Sequence, residues 1–175
     1  MGGSLMSGWS KSKNYNISVI DKKKYAILKK RNRNKKIKFF KSINDINNQN
    51  NFDFIIFATR PLELTNVFKE LKNVNLNKNS IAISVIAGKK TEIFKNNLLN
   101  INKIVRVMPN MPALIGEGVH CIYTNKSINK KEIKKIDQLF SLSGKTLFFK
   151  NEILIDKATA VSGSGPGFIF QLIDI

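Results

Sequence analysis

The sequence predicts an α/β fold built on a doubly wound sheet, and three observations carry that prediction. Short strand-like runs alternate with amphipathic helical runs, the order expected of parallel strands joined by crossover helices. The two middle strand runs, FDFIIFA at 52–58 and the 80–86 run within NSIAISVIA, are apolar at most positions rather than at every second one, as in strands covered on both faces. The chain has 175 residues, 42% of them hydrophobic and 24% charged, which is enough to bury a core. Collagen-like, disulfide-scaffold and mostly disordered chains are excluded.

Taken in order, residues 1–6 (MGGSLM) read as the start of a helix with no strand ahead of it. Strands are predicted at 17–20, 37–40, 52–58, 80–86, 101–108, 118–123 and 146–149. Helices are predicted at 25–31, 61–71, 91–99 and 129–142. Pro61 suits the first turn of its helix, where a missing amide hydrogen costs least, and Glu63 behind it favours the positive end of the dipole. Asn129 is placed to cap the helix that carries Ile133, Ile136, Leu139 and Phe140 on one face. At the far end, residues 168–175 begin an apolar helix. Both ends look cut, because a sheet that starts at a helix lacks its natural first strand.

The formal net charge of +18 invites a nucleic-acid reading. The residues that make it argue otherwise. The chain has 26 Lys but only 4 Arg, beside 24 Ile and 22 Asn, so an A/T-rich coding composition supplies most of the bias. Base readout favours Arg, whose planar fork matches guanine edges and phosphates. The reading is therefore a solvated basic face over 11–41, with no specific nucleic-acid partner. The single cysteine, Cys121, cannot form an internal disulfide and suits a reducing compartment. No apolar stretch approaches the roughly 18 residues of a membrane span, so a cytoplasmic protein with no membrane contact is expected.

Ligands of doubly wound sheets sit beyond the carboxyl ends of the strands, which directs attention to the loops after Ile20, Ala58, Ala87 and Met108. Asp21 can accept hydrogen bonds from ribose hydroxyls, while Lys22 to Lys24 can pair a 2′-phosphate, so NAD and NADP stay unseparated, and an ordinary charged turn explains the run equally well. Ala58, Thr59, Arg60 and Pro61 stand where a strand meets a helix start, a place that can face an anionic cofactor or be an ordinary helix N-terminus. Val85, Ile86, Ala87 and Gly88 hold the corresponding place one unit later, with small residues that let a flat ring approach the backbone. Asn110 is held between Pro109 and Met111-Pro112 in a stiff loop that reads as functional. Ser162, Gly163, Ser164, Gly165 and Pro166 precede an apolar helix and read as a backbone concavity for a carboxylate or phosphate, or else as a flexible linker. Glu152, ten residues earlier than Ser162, is a candidate charged lining residue. No metal site is expected.

Together, RVMPNMPALIGEG and NEILIDKATAVSGSGPGFIF closely resemble pyrroline-5-carboxylate reductase, and the resemblance runs in order over essentially the whole chain. FATRPLEL resembles the family's cofactor loop, with Arg60 where Lys is usual; SVIAG resembles its stretch under the nicotinamide. MGGSLMSGW resembles the family's stretch at the end of its Gly-x-Gly-x-Met fingerprint, with Met1 and Gly2 as the last fingerprint residues. The resemblance implies a Rossmann-like dinucleotide-binding domain at 1–150 without its first strand, and the start of an all-helical dimerisation domain at 151–175. It implies hydride transfer from NADPH or NADH to 1-pyrroline-5-carboxylate, giving L-proline, in a homodimer or larger ring. By position it implies that Met1, Gly2, Asp21, Lys22, Ala58, Thr59, Arg60, Pro61, Val85, Ile86, Ala87 and Asn110 face the cofactor. Glu152, Ser162, Gly163, Ser164, Gly165 and Pro166 would lie near the substrate. No catalytic residue is assigned, since the family's Thr-rich Pro-Gly-Gly segment has no counterpart in these residues.

The competing readings are a related dehydrogenase of hydroxyacid or prephenate type, a basic nucleic-acid-binding module, and a degraded coding sequence. The pairing of the MPN loop with SGSGP disfavours the first. The 175-residue chain by itself is expected to be inactive and poorly stable, because Phe168, Ile169, Phe170 and Leu172 await a cover. Measurable NADPH-dependent reduction of pyrroline-5-carboxylate by the purified chain would overturn that expectation.

Overall fold

The computed structural model describes residues 1–31, 36–46, 51–72 and 74–173. Its elements are α1 (Gly2–Ser10), β1 (Ile17–Ile20), α2 (Tyr25–Arg31), β2 (Ile37–Phe40), β3 (Phe54–Phe57), α3 (Leu64–Leu71), β4 (Ile81–Ser84) and α4 (Thr91–Asn97). They continue with β5 (Lys103–Met108), β6 (Gly118–Thr124), α5 (Lys130–Ser141), β7 (Gly144–Phe149), α6 (Ile153–Thr159) and α7 (Gly165–Ile173). Short 3-10 turns lie at Ile43–Asp45 and Met111–Leu114.

Every residue of β4 is buried, and its side chains divide cleanly between two cores. Ile81 and Ile83, with Val105 and Val107 of β5, meet Leu5 and Trp9 of α1 and Ile136, Leu139 and Phe140 of α5. Ala82, with Ile86 beyond the strand and Ile104 of β5, meets Leu64, Phe68 and Leu71 of α3 and Phe94 of α4. Period-2 alternation thus supplies an apolar surface on each side, and each surface takes its own helices. Phe57, Phe68 and Phe94 pack against one another at 5.1 to 6.0 Å on the α3/α4 side, mostly edge-on.

The main sheet runs β3-β4-β5-β6-β7, and β1 pairs with β2 in a separate two-stranded sheet. All pairings are parallel except β5 with β6, which is antiparallel, with Arg106 opposite Tyr123. The all-parallel expectation fails here for a geometric reason. Only residues 109–117 join the two strands, whereas a parallel crossover needs about a dozen residues or more. At the β6–β7 start, Gly118 lies opposite Gly144, and a Cβ on Gly144 would fall 2.0 Å from the Gly118 carbonyl oxygen. Side chains are excluded from that crossing.

The predicted elements recur with small changes at their ends. Asn129 does cap α5, its side chain accepting from the Glu132 amide while Glu132 bonds back. The helix expected from 61 begins at Leu64, because residues 61–63 form a turn closed by the Glu63 amide on the Arg60 carbonyl at 2.9 Å.

The larger correction concerns Ser162, Gly163, Ser164, Gly165 and Pro166, for which the sequence suggests a concave loop or a linker. They lie instead inside continuous helix, in a π-helical turn at Ala160–Ser164 that leads directly into α7. Pro166 has no amide hydrogen, so an unbroken α ladder would lose a bond there. The chain accommodates it with one wider turn, in which the Gly165 amide donates to the Ala160 carbonyl, five residues back.

His120 on β6 is fully buried, with Nε2 2.9 Å from Ser143 Oγ and its ring 5.3 Å from that of Phe140. Burial pushes its pKa down, and the hydrogen bonding to Ser143 opposes this only in part. The unfolded chain therefore takes up the proton before the folded one as pH falls. The stabilisation from neutral His120 is complete above the ordinary imidazole value of about 6.5 and is lost progressively below it. Because this is the single histidine, melting temperatures measured from about pH 7.5 to 5.5 should fall with acidification and flatten in His120→Gln. A parent profile with no slope over that range would count against the assignment.

Candidate functional site

The carboxyl ends of β1, β3, β4 and β5 present the loops that carry most of the sequence-predicted residues. After β1, Asp21 Oδ1 accepts from the backbone amides of Lys23 at 3.0 Å and Lys24 at 2.8 Å, so this carboxylate closes its own turn. Lys22 and Lys23 then reach across to Glu70 on α3 and to Glu63 just before it. The Lys23 hydrogen bond holds the Glu63 carboxyl below the usual carboxylate range. Such exposed pairs contribute little stability, so both ammonium groups can exchange partners readily.

After β3, the start of α1 comes close. A Cβ on Gly2 would stand 3.0 Å from the Ala58 Cβ, which makes Gly2 a position of tight helix-to-strand approach. Ala58, Arg60 and Pro61 are exposed, while Thr59 Oγ1 is buried with no hydrogen-bond partner among the described residues. A buried hydroxyl left unpaired is costly, and a bound polar group would relieve that cost. After β4, Val85 and Ile86 are buried, whereas Ala87 and Gly88 are exposed, Gly88 at a φ of +70°. These small residues offer bare backbone at the strand end. Asn110 follows β5, and its Oδ1 accepts from the Val119 amide at 2.8 Å, which pins the 109–117 loop onto β6.

Glu152 is held by partners on two other elements. Its Oε1 accepts from the Thr91 amide at 2.7 Å and its Oε2 from the Thr91 hydroxyl at 2.8 Å, at the first residue of α4. Arg106 lies 3.4 Å from the same Oε1 and donates to Asp156 Oδ1 at 2.6 Å. Sequence reasoning passes over Thr91, Arg106 and Asp156. Two signals point to them: Arg106 is a charge in the middle of the otherwise apolar run IVRVM, and Glu152 and Asp156 stand four apart at the start of one helix. Ser162 bonds its hydroxyl to the Ala158 carbonyl within the helix. Cys121 is buried and its thiol pKa is raised by that burial, so it is not set up as a nucleophile. Among the described residues, no group of three His, Cys, Asp or Glu residues is placed to hold a metal.

A sheet with helices on both faces and strand-end loops of this kind defines a Rossmann-type α/β fold. No family model matches the chain. Its sequence is 37% identical over 124 residues to a pyrroline-5-carboxylate reductase of Aquifex aeolicus, covering 71% of this chain and 45% of that protein. In structure it is similar to a pyrroline carboxylate reductase of Plasmodium falciparum solved with NADP bound, at a TM-score of 0.75 and 26% identity, over 99% of this chain and 63% of that one. The fold alone is shared with a pyrroline-5-carboxylate reductase of Coxiella burnetii, at a TM-score of 0.78 and 22% identity, over 99% and 64% of the two chains. The chain is a relative of the pyrroline-5-carboxylate reductases, as its motifs suggest, and spans under half the length of the curated relatives it matches first.

The ion-pair geometry predicts unequal costs for its two ends. Arg106→Met should destabilise the fold by about 3 kcal/mol, because it leaves the Glu152 carboxylate, 18% exposed, without its cation. Asp156, whose side chain is 45% exposed, should tolerate Asn at a cost below about 1 kcal/mol. Urea unfolding midpoints of the two variants check the difference; equal losses would count against a buried ion pair centred on Arg106.

Proposed function

We propose that this chain carries the dinucleotide-binding portion of a pyrroline-5-carboxylate reductase, with NADPH or NADH as hydride donor and 1-pyrroline-5-carboxylate as substrate. The observation that carries the reading is the strand-end cluster of Gly2, Ala58, Thr59 and Ala87-Gly88, which combines a close helix approach, bare backbone and an unpaired buried hydroxyl. When bound, the reduced nicotinamide supplies the hydride that converts the C=N carbon to C–H. The chain's own residues bind and orient. The start of α1, with Met1 and Gly2, faces the pyrophosphate; Asp21, Lys22 and the exposed Lys24 serve the adenosine end, and Ala58 to Pro61 form the floor between them. Val85, Ile86, Ala87 and Asn110 flank the nicotinamide end.

Ser162, Gly163, Ser164, Gly165 and Pro166 are assigned to the substrate side, where a π-helical turn leaves backbone groups outside the regular ladder. The domain division is placed near residue 150, just past the end of β7 at Phe149. A homodimer or larger ring is proposed on the exposed apolar residues of the last helices, Ile153, Val161, Ile169 and Leu172 among them. A cytoplasmic location is proposed as well; among the described residues, no helix is long and apolar enough to cross a membrane.

The test is titration of the chain with NADPH, followed by nucleotide fluorescence, at low salt and again near physiological salt. Saturable binding in roughly the micromolar to millimolar range that survives added salt is expected. Binding that disappears with salt, equally for NADPH, inorganic polyphosphate and RNA, would instead favour a non-specific basic face.

A further inference from the structure

Glu152 sits at the start of α6, beyond the end of the sheet, yet its carboxylate is spent on α4. The N-terminus of α4 lacks any cap of its own, since Lys90 at the N-cap position gives no side-chain hydrogen bond. The amide of Thr91 would be an orphan donor at a part-buried helix end. Glu152, 61 positions away, accepts that amide and the Thr91 hydroxyl with its two oxygens. A carboxylate there also opposes the positive end of the helix. Arg106, 2% exposed and fixed in the centre of β5, stands against the same oxygen and bonds Asp156 one helical turn on, so two residues of α6 are tied to one side chain of the sheet. The residues just before Thr91 are Ala87, Gly88, Lys89 and Lys90, the loop after β4, and Gly88 there has a left-handed backbone. A loop ending in a frayed helix would not keep that shape.

We propose that Glu152 is a positioning residue for this loop. Oriented by Arg106, it closes the start of α4 from another part of the chain and so holds Ala87 to Lys90 in the form that receives the cofactor. The proposal rests on the dinucleotide reading given above and differs from the substrate-side role that the sequence motif suggests for Glu152.

The geometry also supplies a sharp control. In Glu152→Gln the carbonyl oxygen can keep the Thr91 amide and Arg106, and the new amide can donate to the Thr91 hydroxyl. In Glu152→Ala all three contacts vanish. The experiment measures NADPH affinity by fluorescence titration and amide hydrogen exchange at Thr91, Glu92 and Ile93 for the parent and both variants. Loss of a cap predicts about tenfold weaker NADPH binding and faster exchange at α4 for E152A. E152Q should stay within about twofold of the parent in both readouts, because it retains the cap. NADPH affinity and exchange unchanged in E152A would overturn the proposal. So would E152Q failing as badly as E152A, since the charge and not the cap would then matter. If E152A does not fold, E152Q together with Thr91→Val, which removes only the hydroxyl contact, still decides. A parent chain that binds no NADPH would overturn the dinucleotide reading and this proposal with it; a parent that binds, with E152A unaffected, overturns this proposal alone.

Discussion

Burial of β4 on both faces is the constraint on which the remaining architecture depends. A strand whose every residue is buried cannot lie at an edge or face water on one side, so it needs a strand on either hand and helices above and below. β3 and β5 provide the first, and α1/α5 and α3/α4 the second. Parallel pairing of these three strands places their carboxyl ends together, and the loop leaving each strand then opens on the same edge. The clustering of Ala58, Ala87 and Asn110 is therefore a by-product of burying apolar surface. No contact between those residues is required to bring them near one another.

Among the described residues, Arg106 is the buried position that carries a full charge. Arg106 occupies the α3/α4 face of β5, next in register to Ser84, where an isoleucine would pack as Ile104 does. A guanidinium in such a place is tolerated only with its donors satisfied, and Glu152 and Asp156 satisfy two of its nitrogens. Buried pairs of this kind rarely add net stability over an apolar substitute, whereas losing one partner of the pair is costly. Here the pair ties down α6, which buries only Ile155 fully.

Much of the layering can be read directly from residue pattern, because it depends on local spacing. The runs 17–20, 37–40 and 25–31 match β1, β2 and α2 without change, and Asn129 behaves as its position before a periodic helix suggests. Features set by connection length or by distant partners are not readable in the same way. The antiparallel β6 follows from a short link that the strand pattern alone does not weigh. The π-helical turn escapes a sequence reading because Gly, Ser and Pro have turn propensity on average, while the flanking Ala158 to Val161 and Phe168 to Leu172 keep a helix going on both sides. Glu152 is legible as special but not as what it does, since Thr91 and Arg106 are 61 and 46 positions away.

The basic charge takes on a definite local form in the structure. Lys22 and Lys23 do not simply project into water; they bridge the turn after β1 to Glu70 on α3 and to Glu63 just before it. Glu63 belongs to the turn that Arg60 closes, so its pairing with Lys23 ties the loop after β1 to the loop after β3. Asp21, meanwhile, has its charge partly offset by two backbone amides, which lowers the repulsion it would exert on an anion. A phosphate arriving here would compete with two weak, exposed carboxylate partners and meet a shielded aspartate, so the local cost of drawing the lysines to it is small. On the proposed dinucleotide reading, this is the place where the lysine-rich composition would serve a ligand, because backbone amides already offset the opposing aspartate charge.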